Sequence, residues 1–218
     1  MSDHRGVIWD MDGVLVDTVE WHYQTWAETL TRHGIPFSRA DFEANFGMKN
    51  TAMLERLLGR PLAPELADEI ADDKERLFRD LVRGRAQALP GVREWLARLE
   101  AAGVRQAVAS SAPQANIDAL LDELGLRQYF GAIVSGQDLP AKPDPTVYVR
   151  AAQLVEAPPE RCVVIEDAVV GVEGAKAAGM ACIAVTTTHA AEALQAADIV
   201  VERLDALPAD AFERLIGG

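Results

Sequence analysis

Asp10 and Asp12 stand two residues apart in Val7-Ile8-Trp9-Asp10-Met11-Asp12-Gly13, directly after a short apolar run. Side chains two apart on an extended chain point the same way, so both carboxylates address one spot as the chain leaves a sheet. Two close carboxylates at a buried strand end repel, and need a cation or a shared proton. Gly13 permits the sharp turn that follows. The same residues also fit a plain strand end with a solvated Asp-Gly turn. Three further polar groups lie beyond strand-like runs: Ser110-Ser111 after Gln106 to Ala109, Lys142 in Ala141-Lys142-Pro143-Asp144-Pro145 in the segment after Ala132 to Ser135, and Glu166-Asp167 after Cys162 to Ile165. Carboxylates, a hydroxyl and an ammonium suit phosphoryl transfer. Mg²⁺ is commonly held by one or two carboxylates plus substrate phosphate, while a lysine and a hydroxyl grip the other phosphoryl oxygens. Taken singly, each has a plainer reading. Ser110 could cap a following helix, Lys142 could be a solvated loop residue, and Glu166-Asp167 could favour a helix dipole.

The elements that must position these groups can be read from periodicity. Val7 to Trp9 is a buried-strand pattern. From Thr18 to about Arg83 the period is helical. Trp26 and Leu30 share a face and Gly34 stops the first helix. Ser38-Arg39-Ala40-Asp41 resembles a capping box for a second helix. Gly47-Met48-Lys49-Asn50-Thr51 breaks it, Met53 to Leu58 makes a third ending at Gly59, and Pro64 opens a fourth with Leu66, Ile70, Leu77 and Leu81 as its apolar stripe. After Pro90-Gly91, helix and short strand alternate: strands at 106–110, 132–135, 162–165, 182–185 and 199–201, with helices between them and one after the last. Such alternation means βαβ units and a parallel sheet. The expected fold class is α/β: a doubly wound, Rossmann-like core of residues 1–15 and 88–218, with a helical cap at 16–87 inserted after the first strand. In such a sheet ligands bind at the carboxyl ends of the strands, where all four polar groups fall.

The chain has 218 residues, 49% of them hydrophobic, enough for one good core plus a smaller inserted domain. Its formal net charge of -13 argues against nucleic acid or anionic membrane as a general partner. An anionic substrate must then be met by local positive charge or a metal ion. No apolar run approaches the roughly 20 residues of a membrane span. Met1-Ser2-Asp3-His4-Arg5-Gly6 has no signal-peptide core. Cys162 and Cys182 each begin an apolar run and lack zinc-ligand spacing, which reads as buried free thiols. A reducing cytoplasm, and a monomer or weak dimer, are the expectations.

Asp10-Met11-Asp12-Gly13-Val14-Leu15-Val16-Asp17-Thr18 resembles motif one of the haloacid dehalogenase superfamily. Val108-Ala109-Ser110-Ser111, Lys142-Pro143 and Val164-Ile165-Glu166-Asp167 resemble its other three motifs, in order. The insert resembles the cap of the beta-phosphoglucomutase-like branch. The resemblance implies Asp10 as a nucleophile that becomes an aspartyl phosphate, and Asp12 as the acid and base for leaving and attacking oxygens. It implies Ser110, with Ser111 beside it, and Lys142 as phosphoryl binders. Mg²⁺ would sit on Asp10, the Asp12 carbonyl and Asp167, with Glu166 beside it or ligating. Dehalogenases and phosphonatases of the superfamily lack the second acid, so Asp12 favours a phosphate ester as substrate. The cap candidates for substrate choice are His22, Trp26, Lys49, Asn50 and Lys74; His22 and Lys74 fall at or near site residues of beta-phosphoglucomutases. The arginine that grips a second phosphate in those mutases is Asn50 here, next to Lys49. The implied function is a Mg²⁺-dependent phosphatase of small phosphorylated metabolites, with a phosphomutase as the alternative and a non-catalytic binding protein as a third.

Overall fold

The computed structural model describes residues 4–45 and 48–216. Met1 to Asp3 of the N-terminal segment, and the helix break expected at Gly47, therefore lie outside the described residues. The chain forms two compact units, Met1–Asp17 with Ala86–Gly218, and Thr18–Arg85.

The first unit is built on a six-stranded sheet. Its strands are β1 (Gly6–Trp9), β2 (Arg105–Ser110), β3 (Ala132–Ser135), β4 (Cys162–Glu166), β5 (Ala181–Val185) and β6 (Ile199–Val201). They lie in the order β3-β2-β1-β4-β5-β6, and each adjacent pair is parallel. Every residue of β1 and β4 is buried, which is why both read as unbroken apolar runs rather than alternating ones. Strand order reverses between β1 and β4, the place where a doubly wound sheet opens a crevice at its carboxyl edge. Immediately before that edge, Trp9 Nε1 donates to Gln106 Oε1 at 3.1 Å, and Gln106 Nε2 donates to the Leu96 carbonyl at 3.0 Å. This buried relay ties β1 to β2 without leaving a polar group unsatisfied.

The crossovers place α5 (Val92–Ala101), α6 (Gln114–Leu124), α7 (Thr146–Leu154) and α8 (Val169–Ala177) before β2, β3, β4 and β5, and α9 (Ala211–Ile216) closes the chain. Ile8, Ala107, Tyr148, Val164 and Cys182 belong to one buried cluster in this layer. Both cysteines are buried free thiols. Burial pushes the Cys162 thiol up to about 12 and raises Cys182 as well, so neither is a poised nucleophile.

The inserted unit carries α1 (Val19–Arg32), α2 (Arg39–Asn45), α3 (Asn50–Leu58) and α4 (Pro64–Val82). Trp26, Leu30, Phe42, Leu54 and Ile70 are among its core residues. The capping box at the start of α2 forms: Asp41 Oδ2 accepts the Ser38 N–H at 2.9 Å, and Ser38 Oγ accepts the Asp41 N–H at 3.2 Å. Two expectations change. Asn50 and Thr51 belong to α3, not to the break before it. Leu66 is 41% exposed, and the buried face of α4 runs through Ala67, Ile70, Lys74, Phe78 and Val82. The helix presents the face that carries Lys74, because that ammonium finds a carboxylate in the interior and need not reach water.

Candidate active site

The peptide N–H of Asp10 donates to the Ile165 carbonyl at 3.0 Å, so the residue extends the β1–β4 ladder past Trp9, level with Glu166. The chain then turns on itself. The N–H groups of Val14, Leu15 and Val16 all return to the Met11 carbonyl, and Gly13 N–H donates to Val16 O at 2.8 Å. Gly13 sits at φ +80, and a Cβ built there would stand 2.0 Å from Asp167 Oδ2. A glycine is required on both counts.

Lys142, from the loop between β3 and α7, reaches the same point. Its Nζ donates to Asp10 Oδ1 at 2.5 Å and to Glu166 Oε1 at 2.6 Å. Glu166 Oε1 also accepts the Tyr148 hydroxyl at 2.6 Å, while Oε2 accepts the N–H groups of Asp167 (3.0 Å) and Ala168 (3.2 Å). Glu166 is thus held through both oxygens. A Cβ at Gly171 would lie 2.0 Å from its carboxyl carbon, so α8 can approach only as glycine. Thr188, just beyond β5, donates to Asp167 Oδ2.

Asp10, Glu166 and Asp167 bring carboxylate oxygens within 4.8 Å of one another, and all three are buried. Against them stands the Lys142 ammonium. Burial, joined by the charges of Glu166, Asp167 and Asp12 and opposed by Lys142, raises Asp10 well above the usual carboxyl range. Burial and then Glu166 push Asp167 up to about 8, against the pull of Thr188 and Lys142. Burial works against the Lys142 ammonium, but Asp10 and Glu166 outweigh it and hold its pKa well above the ordinary value. Excess negative charge in a dry, oxygen-only donor set is the environment a hard divalent cation relieves, so the residues present fit Mg²⁺. Asp10 and Asp167 are the better-placed donors, because the Glu166 oxygens are already occupied.

The structure distributes the other expected residues as follows. Asp12 is half-buried beside this group and raises the pKa values of both Asp10 and Asp167, but its carboxylate is not one of the three clustered ones. Ser110 ends β2, buried, and its Oγ accepts the Ala112 N–H at 3.1 Å. It does not cap the next helix, whose N-cap is Pro113. Ser111 is exposed. Glu166 closes β4, and α8 begins only at Val169, so the acidic pair is not in a first helical turn.

Within the inserted unit, Lys74 is buried, with Nζ 2.8 Å from His22 Nδ1 and 3.1 Å from both Glu75 oxygens. His22 stacks on Phe78 at 4.3 Å. Asn50 Nδ2 donates to Glu75 Oε1 at 2.7 Å. Lys49 is exposed at the N-cap of α3, and Trp26 is a core residue with Lys74 Nζ 5.5 Å from its ring centre.

Sequence reasoning missed Tyr148, Thr188 and Glu75. Thr188 had a signal: the rule that selected polar residues after the other strands also selects Thr186-Thr187-Thr188-His189 after β5. Tyr148 and Glu75 had none, since a buried helical tyrosine or glutamate looks like any other in sequence.

The family model described as haloacid dehalogenase-like hydrolase matches residues 4–179. A validoxylamine A 7'-phosphate phosphatase of Streptomyces hygroscopicus subsp. limoneus is 30% identical over 213 residues, covering 92% of this chain and 94% of its own. A beta-phosphoglucomutase of Bacillus subtilis is 31% identical over 207 residues, covering 91% and 89%. Among solved structures, the D10N mutant of CbbY from Rhodobacter sphaeroides, in complex with xylulose-(1,5)bisphosphate, superimposes with a TM-score of 0.85 at 27% identity, covering 94% of this chain and 96% of that one.

Proposed function

The chain belongs to the haloacid dehalogenase-like hydrolases and is a phosphoric monoester hydrolase, and from that premise we propose that it dephosphorylates small sugar phosphates through an aspartyl phosphate on Asp10. The observation that carries this reading is the buried contact of Asp10 Oδ1 with Lys142 Nζ, inside a three-carboxylate cluster at the switch point of the sheet. An Asp10 oxygen attacks phosphorus, forming the P–O bond to the carboxyl as the ester P–O bond breaks. Asp12 protonates the departing sugar oxygen, then takes the proton of the water that attacks the phosphoenzyme. Ser110 accepts from Ala112 and so keeps its own O–H to donate to a phosphoryl oxygen. Lys142 supplies a fixed ammonium to the same group. Mg²⁺ held by Asp10 and Asp167 would neutralise charge on the transferring phosphoryl group.

A phosphomutase is the second reading, favoured by the 31% identity to beta-phosphoglucomutase. It also uses an aspartyl phosphate, but must retain a bisphosphate by its far end. A bidentate arginine suits that task. The resemblance assigns that position to Asn50, which is neutral and whose amide donates to Glu75. This supports the phosphatase.

The test is a panel of sugar phosphates with and without Mg²⁺, including a hexose 1-phosphate with a trace of the bisphosphate. Release of inorganic phosphate with little 6-phosphate isomer is expected. Efficient isomerisation without phosphate release would reverse the order of the two readings, and no turnover of any ester with Mg²⁺ would remove both.

A further inference from the structure

Asp167 is the metal-site carboxylate with a buttress of its own, separate from Lys142. One oxygen, Oδ2, lies against the Gly13 backbone, where even a methyl would come within 2.0 Å, and accepts the Thr188 hydroxyl. Thr188 Oγ1 is 2.9 Å from His189 Nδ1, and that nitrogen is 3.1 Å from the Asp167 carbonyl. A threonine has one hydroxyl proton. With that proton given to Asp167 Oδ2, the consistent assignment protonates His189 at Nδ1, which donates to Thr188 Oγ1 and the Asp167 carbonyl. The three residues then form a directed relay, His189 to Thr188 to Asp167 Oδ2, closed around the Asp167 carbonyl, which lies 3.2 Å from Thr188 Oγ1 and takes its hydrogen bond from His189.

We propose that Thr188, oriented by His189, is a positioning residue that fixes the Asp167 carboxylate by Oδ2, so that the other oxygen is presented to the cation. This rests on the metal reading above. Wedged between Gly13 and a hydroxyl, the carboxyl group cannot rotate, and a ligand held in one orientation loses little entropy when the cation arrives. Glu166 next door is fastened through both oxygens, so it orients Lys142, while Asp167 is fastened through one and remains a ligand. The β5 loop thereby contributes to the site although its residues lie outside the four motif segments.

The test is Mn²⁺ binding to the substrate-free protein, read by electron paramagnetic resonance or calorimetry, for wild type, Asp167→Asn, Thr188→Val, Thr188→Ser and His189→Phe. Thr188→Val keeps the shape and loses the hydroxyl. It should weaken Mn²⁺ binding about 10- to 100-fold, the range for outer-shell partners of metal ligands. Thr188→Ser should remain within about twofold of wild type, and His189→Phe should fall between. Turnover of Thr188→Val should drop at limiting Mg²⁺ and recover as Mg²⁺ is raised, with substrate KM little changed. Wild-type affinity in Thr188→Val, alongside loss in Asp167→Asn, overturns the role of Thr188 and leaves the metal reading standing. Equal weakening in Thr188→Val and Thr188→Ser also overturns it, because the hydroxyl would then not be the cause. Absence of Mn²⁺ binding in wild type overturns both. If Thr188→Val does not fold, Thr188→Ala and His189→Phe carry the same comparison.

Discussion

The Tyr148 hydroxyl and the Lys142 ammonium meet on one atom, Glu166 Oε1, each at 2.6 Å. Lys142 Nζ also lies 5.1 Å from the centre of the Tyr148 ring. A residue in the first turn of α7 thus helps aim the lysine that touches Asp10. Tyr148→Phe removes one donor and no volume, so it should cost about 0.5–1.5 kcal/mol of stability. It should also lower kcat more than it raises KM, because Lys142 stays but is less firmly directed. Denaturant unfolding and steady-state kinetics check both; unchanged kcat would make Tyr148 a core residue only.

Asp10→Asn keeps the shape of the side chain and removes the attacking charge. Turnover should fall by at least about a thousandfold, as for other nucleophiles acting within a concerted set. Thermal stability without metal should hold or rise, because one of three crowded carboxylates is gone. Near-wild-type turnover would remove Asp10 from the mechanism.

The raised Asp167 pKa sets a pH dependence. This carboxyl titrates near 3.8 in the unfolded chain and at about 8 in the folded one, by burial and then by Glu166. Between those values the folded protein holds a proton the unfolded chain has lost. The stability from this group is therefore fully present below about pH 4 and is lost as pH rises through about 8. The metal-free Tm should fall over that window, and Mg²⁺ should raise Tm more at about pH 8 than at about pH 5, where it must displace the proton. A Tm rise from Mg²⁺ that is equal at both pH values would contradict this.

Gly13→Ala places a methyl at φ +80 and 2.0 Å from Asp167 Oδ2. Overpacking alone should cost about 1–3 kcal/mol, and displacement of Asp167 should abolish activation by Mg²⁺. Scanning calorimetry with a Mg²⁺ titration reads both effects.

Glu75→Ala leaves the Lys74 ammonium buried without its carboxylate, and breaking such a pair costs about 3–5 kcal/mol. Lys74→Met combined with Glu75→Leu should recover most of that stability, since an apolar pair of similar volume suits the same interior. Chemical denaturation of the single and double variants compares them; a double variant as unstable as Glu75→Ala would mean that shape, not charge, sets the cost.

The order and type of the elements were legible because both depend on local pattern. Buried parallel strands such as β1 and β4 need unbroken apolar runs, and helices need a 3.6-residue period bounded by caps such as Ser38 with Asp41 and the left-handed Gly59. The cluster of Asp10, Lys142, Glu166 and Asp167 was legible as a set of polar residues beyond strand ends, because parallel topology collects the carboxyl ends of strands. What sequence alone could not decide was partnership. That Glu166 would be consumed holding Lys142, and that Tyr148 and Thr188 would buttress the acids, depends on contacts across 24, 18 and 21 residues, and that Lys74 would turn inward with Glu75 depends on helix rotation. Hydrogen bonds require donor and acceptor within about 3 Å, and side chains far apart in the chain reach that separation only when packing sets the rotation of each element. Sequence carries the period of a helix, but the buried polar group it must satisfy selects which face turns in.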